Sequence, residues 1–141
     1  MAIINIKSKE RKPAALLFFM FFSIVSATIT GASVRDAVFL TQFDKSYLPV
    51  MFITIAVVMA GVIALYKKLT AGQDQIFVIS ISGALFSVSL FLLQSNLSGL
   101  FIPVLYIWME VVTILSIFQF WILAGEIFNA RQAKRIFTFL G

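Results

Sequence analysis

The sequence predicts an all-α membrane protein with four transmembrane helices, and three observations predict it. Of its 141 residues, 61% are hydrophobic and only 12% charged, whereas a soluble domain is closer to half apolar and a quarter charged. The apolar residues form four long runs, each near the roughly 20 residues that a membrane-spanning helix needs. The few Lys and Arg stand in short clusters beside those runs, where topology signals sit. A soluble fold of this length could not cover so much apolar surface, because small globules leave much of theirs exposed. Lipid must be the solvent.

Span one is expected over about 13–34, PAALLFFMFFSIVSATITGASV. Pro13 suits a first helical turn, where a missing N–H costs nothing. The competing reading is a secretory signal peptide, with a basic start and small residues at Gly31-Ala32-Ser33. Against it, the apolar stretch outruns a usual signal core, and three more spans follow. Span two is expected over 47–66, span three over 76–93 and span four over 100–125. The connections DAVFLTQFDKS, KKLTAGQDQ and QSNLSG are short and polar enough to turn. None of the runs alternates with the period of two that marks an outer-membrane strand. Helices follow, since each satisfies its own backbone in lipid.

Charge sets the expected direction. Lys7, Lys9, Arg11 and Lys12 precede span one, Lys67 and Lys68 follow span two, and Arg131, Lys134 and Arg135 follow span four. The first connection carries only Arg35 and Lys45, matched by Asp36 and Asp44, and the third carries no basic residue. Basic residues stay cytoplasmic, so both ends are expected inside, around a basic tail at 1–12 and a segment at 126–141. In that last segment Ala133, Ile136, Phe137 and Leu140 share one helical face and the basic residues the other. This is the pattern of an amphipathic helix in the cytoplasmic interface, or else of a basic collar leading into a fifth span. Small residues recur every three or four positions as Ser23-Ala27-Gly31, Ala56-Ala60-Ala64 and Ser80-Gly83-Ser87. Such stripes let helices approach closely and predict the packing faces.

Several chemistries are excluded. With no Cys and no His the chain lacks disulfides, thiolate nucleophiles, imidazole bases and Cys/His metal sites. Its six carboxylates are scattered without the spacing of a metal loop. No enzyme activity, metal or cofactor is expected. The net charge of +5 comes without a basic stripe or nucleic-acid-binding motif, so a nucleic-acid partner is not expected either.

One residue breaks the pattern. Within LYIWMEVVTILSIFQFW, Glu110 stands alone among apolar neighbours, about 15 Å into span four. A carboxylate there costs ~3 kcal/mol or more and reads by default as functional, with a partner expected. Tyr106, Thr113, Ile117 and Trp121 fall on its helical face, while Trp108 and Gln119 point nearly the opposite way. That stripe suits a cavity lining. With span one ending at Val34, Arg35 lies at the outer surface, about 15 Å from the depth of Glu110 and beyond a guanidinium's reach. Glu110 is then either neutral and hydrogen-bonded within the bundle or paired with something outside these residues.

Two stretches resemble a known family. GASVRDAVFLTQFDKSYLPVMFITIAVVMAGVIALYKKL is similar to the first loop and second helix of the ATP/ADP translocase-like nucleotide transporters, a branch of the major facilitator superfamily. FWILAGEIFNARQAKRIF resembles the end of their fourth helix and the loop after it. The resemblance runs from about Val34 to the end and implies a chain forming the N-terminal third of a twelve-helix transporter. It implies a bacterial inner-membrane location, a central site lined by charged residues and a nucleotide as substrate. The family's Lys-Asp pair after helix one stands here as Arg35-Asp36, and its fourth-helix acid, which directly precedes a Trp, here follows Trp108 by two residues.

The function expected is therefore part of a secondary transporter for an anionic solute, with a nucleotide as the family's solute. The expected site residues are Arg35, Asp36, Glu110, Tyr106 and Thr113, and the expected partners are the bilayer and further helices. The alternative is a small four-helix structural or assembly subunit of a larger membrane complex, in which Glu110 answers a partner's cation. Further spans encoded beyond Gly141 would favour transport, and a stop codon there the subunit.

Overall fold

The stretch VRDAVFLTQ contains neither glycine nor proline, so nothing in it halts a helix that is already propagating. In the computed structural model, which describes residues 8–94 and 99–128, helix α1 accordingly runs Ser8–Gln42. The first span does not end at Val34, and the expected loop at 35–46 shrinks to its last few residues. Pro13 lies inside α1 rather than in its first turn. It still falls near the helix's polar start, where water can serve a carbonyl that proline leaves unbonded. At ~1.5 Å per residue, α1 is about 52 Å long, well beyond the ~30 Å of a hydrocarbon core.

Chain reversal after α1 is local chemistry. Asp44 accepts hydrogen bonds from the backbone N–H of Ser46 at 2.9 Å and from its hydroxyl at 2.6 Å. The hydroxyl bond first, and the backbone bond second, hold the exposed Asp44 carboxyl below its ordinary range. A single 3-10 turn, Lys45–Tyr47, leads into α2, Leu48–Thr70, with Pro49 in its first turn. Helix α3 spans Gln75–Gln94 and α4 spans Phe101–Ile127. All four are long and apolar enough to cross a membrane, which is compatible with an integral membrane protein.

The α2–α3 turn depends on two residues. Gly72 adopts φ +77°, a backbone conformation that costs an L side chain roughly 1–2 kcal/mol. Asp74 then caps α3 by accepting from the N–H groups of Ile76 and Phe77. Asp74→Ala is expected to cost ~1 kcal/mol in a detergent unfolding titration, and Asp74→Asn only a few tenths, because asparagine can cap equally well. Equal losses for Ala and Asn would show that capping is not what this carboxylate contributes.

Helix α4 is the centre on which the other three pack. Near one end, Ala14 and Leu17 of α1 meet Phe120 and Ala124 of α4 in a buried cluster closed by Phe128. Phe21 stacks on Phe120 with centroids 4.7 Å apart. Toward the other end, Phe39 of α1 and Met51, Ile55 and Met59 of α2 bury Ile102, Tyr106, Val111 and Leu115 of α4. Helix α3 lies across from them. The Trp108 indole N–H donates to the Ser89 hydroxyl at 2.8 Å, and the Ser82 hydroxyl donates to the Gln119 carbonyl oxygen at 3.0 Å. The early part of α1 meets the late part of α4, so these two run antiparallel, and the chain passes up, down, up and down.

The small-residue stripes are mostly not the packing faces. Ala56, Ala60 and Ala64 are exposed, as are Ser80, Gly83 and Ser87. Helix α2 instead buries Met51, Ile55 and Met59, and α3 buries Val78. On α1, Ser23 and Ala27 are exposed, and only Gly31 is closely approached, since a Cβ there would stand 2.8 Å from the Met109 methyl. Periodicity marks every face of an apolar helix that could pack, and the neighbours decide which one does. Outward faces are strongly apolar: Phe19, Ile53, Val57 and Phe91 are each at least 65% exposed. That is the reverse of a water-facing surface. The expected basic tail up to residue 7, the centre of the third connection and the amphipathic segment from residue 129 on lie outside the described residues.

Candidate functional site

The longer α1 changes the chemistry around Glu110. Arg35 now lies seven residues before the end of α1, about 10 Å along the axis. Glu110 lies nine residues after the start of α4, about 14 Å along it. Since the two helices run antiparallel and those two ends lie together, the residues meet at nearly the same level. Arg35 Nη1 donates to Glu110 Oε2 in a salt bridge between α1 and α4. The expectation that no cation of this chain reaches Glu110 is therefore overturned, because it placed the helix end eight residues too early.

Arg35 is engaged on every side. Its Nε and Nη2 both approach Asp36 Oδ1 at 3.0 Å, and its Cζ stands 4.2 Å from the centroid of the Tyr106 ring. A guanidinium over an aromatic face gains a cation–π attraction that grows as water is excluded. Tyr106 is held for that role by Phe39, whose centroid is 4.9 Å away. Phe39 follows Arg35 by four residues, one turn along the same face of α1. Helix periodicity thus delivers the cation and the ring that braces its aromatic partner together.

Burial is graded across this group. The Arg35 side chain is 9% exposed, Glu110 29% and Asp36 50%. Arg35 alone carries positive charge against two carboxylates, so the cluster is formally −1 when all three are ionised. A buried cation requires charged hydrogen-bond partners, and removing one leaves an uncompensated charge. Among the described residues no group of three or more acidic side chains could hold a metal ion. The arrangement can offer the guanidinium to an anion only when a carboxylate lets go.

Of the expected site residues, Arg35, Asp36, Glu110 and Tyr106 come together. Thr113 does not join them. It lines a separate groove between α1 and α3 with Ser23, Ala27, Gly31 and Leu90. The expected stripe through Ile117 to Trp121 is divided as well: Trp121 packs edge-on against Phe21 and Phe120. Phe39 escaped the sequence reading, although its spacing from Arg35 was visible once residues 35–42 were taken as helix. No family model, curated protein or solved structure matches this chain.

Proposed function

We propose that this chain is part of a secondary transporter for an anionic solute, with the Arg35–Glu110 pair as its working element. The observation that carries the reading is a buried guanidinium bonded across two helices to a carboxylate, among helices long enough to span a bilayer. Ionisable groups at such depth are costly and mark substrate or proton pathways. In the resting arrangement the anion site on Arg35 is occupied by Glu110 and Asp36. Protonating Glu110 removes its claim on the guanidinium, which can then take an anion in a bidentate grip. Anion entry would thereby be linked to a proton. The resemblance to nucleotide transporters of the major facilitator superfamily makes ATP and ADP the first solutes to try. Uptake of labelled ATP, ADP, phosphate and dicarboxylates by cells expressing the protein tests the reading across pH. No uptake of any of these anions above background would sink it.

A second reading, a structural subunit of a larger membrane complex, is favoured by the exposed small-residue stripes of α2 and α3. Small residues suit close contact with helices beyond these four. It predicts normal assembly of a partner complex with no anion flux, so the uptake assay separates the two.

For orientation we propose both ends in the cytoplasm of a bacterial inner membrane, on the placement of Lys and Arg. The absence of native Cys makes the check direct. A single cysteine at Ser46 is expected to react with an impermeant thiol reagent added to intact cells, and one at Thr70 only after permeabilisation. The opposite pattern would reverse the topology.

A further inference from the structure

Between helices α2 and α3, over α4, lies an open, apolar cleft of about 470 Å³. Val62, Leu65, Tyr66 and Leu69 form one wall, residues from Phe77 to Phe86 the other, and Leu115 and Gln119 the floor. Its polar side chains are nearly all spoken for. Thr70 donates to the Tyr66 carbonyl at 2.9 Å, Gln75 donates to the Tyr66 hydroxyl at 3.4 Å, and Ser82 bonds both the Ile79 and Gln119 oxygens. Gln119 is different. It is 3% exposed, and its Nε2 is the one buried side-chain polar atom without a hydrogen-bond partner among the described residues. An unmet donor in apolar surroundings is costly, and native structures rarely leave one so.

We infer that this cleft is a binding site for one anionic glycerophospholipid, held by an ester carbonyl on Gln119 and by its headgroup at Lys67 and Lys68. Two observations select that occupant. The missing partner is a hydrogen-bond acceptor buried among hydrocarbon side chains, which describes a fatty-acyl ester. Because Ser82 already bonds the Ile79 carbonyl, the Gln119 amide can turn its N–H toward an arriving acceptor without stranding that hydroxyl.

The second observation is level. Tyr66 packs edge-on against Phe118 at 6.0 Å, which places Gln119 level with Lys67, whose long side chain can carry its ammonium about a helical turn further toward the end of α2. These two lysines are exposed, flank the lining stripe and have no salt-bridge partner among the described residues. Phosphate beside the extended lysine ammonium groups, carbonyl one step deeper at Gln119 and acyl chain running on toward Phe86 is the order of groups in a phospholipid. Basic pockets between transmembrane helices take anionic headgroups for the same reason.

The hydrocarbon walls give little preference by themselves, since bulk lipid tails are equally apolar. Selectivity must come from Gln119 and the lysines, and that makes the site testable. The protein in detergent would be titrated with dioleoyl phosphatidylglycerol, its dialkyl-ether counterpart or dioleoyl phosphatidylcholine, and examined by native mass spectrometry. One phosphatidylglycerol per chain is expected to be retained, with the ether lipid held about fivefold more weakly for want of one hydrogen bond. Gln119→Leu is expected to erase the ester-over-ether difference while the chain stays folded. Lys67→Ser with Lys68→Ser should erase the preference over phosphatidylcholine. Ile81→Trp, at an exposed lining position, should block retention altogether. Equal retention of ester and ether lipids by the unaltered protein would overturn the assignment. So would undiminished retention by Ile81→Trp, or dimers in place of the lipid adduct.

Discussion

Arg35→Ala is expected to lower stability by about 2–3 kcal/mol and to abolish anion uptake. Removing one partner of a buried ion pair typically costs 3–5 kcal/mol, because the other charge is left buried and unpaired. Here Glu110 keeps 29% of its side chain exposed, so water can relieve part of that penalty and the lower figure applies. Some packing is lost too, since the guanidinium also covers the Tyr106 ring. Arg35→Lys keeps the charge but cannot hold Glu110 and Asp36 through a planar fork, so it should recover stability only in part and uptake less. A double-mutant cycle isolates the pair itself. Glu110→Ala alone should also destabilise, and Arg35→Ala with Glu110→Ala should cost clearly less than the sum of the two single changes. Strict additivity would mean that the two side chains do not stabilise one another. Unchanged uptake in Arg35→Ala at equal membrane abundance would leave Arg35 as a structural residue only.

Glu110→Gln separates charge from shape. Glutamine retains size and hydrogen bonding but carries no charge and takes up no proton. If protonation of Glu110 frees Arg35, the variant behaves as though permanently protonated. Downhill anion exchange should then persist and lose its dependence on pH, while accumulation driven by a proton gradient should fall to background. The unaltered protein should take up anion faster as the pH drops, because the protonated form is the one that yields Arg35. Glu110→Leu supplies a contrast: it removes the acceptor and leaves Arg35 buried with Asp36 as its only carboxylate. A lipid-facing residue would accept leucine with a gain in stability. An increase in stability together with undisturbed uptake in Glu110→Leu would refute the functional role assigned to this glutamate.

Much of the architecture was legible in the residues themselves. Four apolar runs in a chain with few charges admit only helices in lipid, because an unpaired backbone group there costs several kcal/mol. The opposed placement of Trp108 and Glu110 also followed from spacing alone: Trp108 faces α3 and Glu110 faces α1, as a 3.6-residue repeat requires. So did the singling out of Glu110, since an isolated acid among apolar neighbours needs a partner wherever the helix packs.

Three things were decided only when the helices met. Arg35, Asp36, Thr41 and Gln42 made residues 35–42 resemble a loop, yet α1 continues through them, and Arg35 and Phe39 are buried there. The local sequence permitted that continuation, and burial fixed it. The partner of Glu110 depended on that extension, since eight residues of helix shift a side chain by about 12 Å. The packing faces were the third. Every small-residue stripe was a candidate, but α4 collected Met51, Ile55 and Met59 from α2, and left Ala56, Ala60 and Ala64 outside. A sequence specifies which faces of a helix can pack, because that is a property of its own residues. Which face does pack is a property of the pair, set by the shape of the neighbour and the depth at which the two meet.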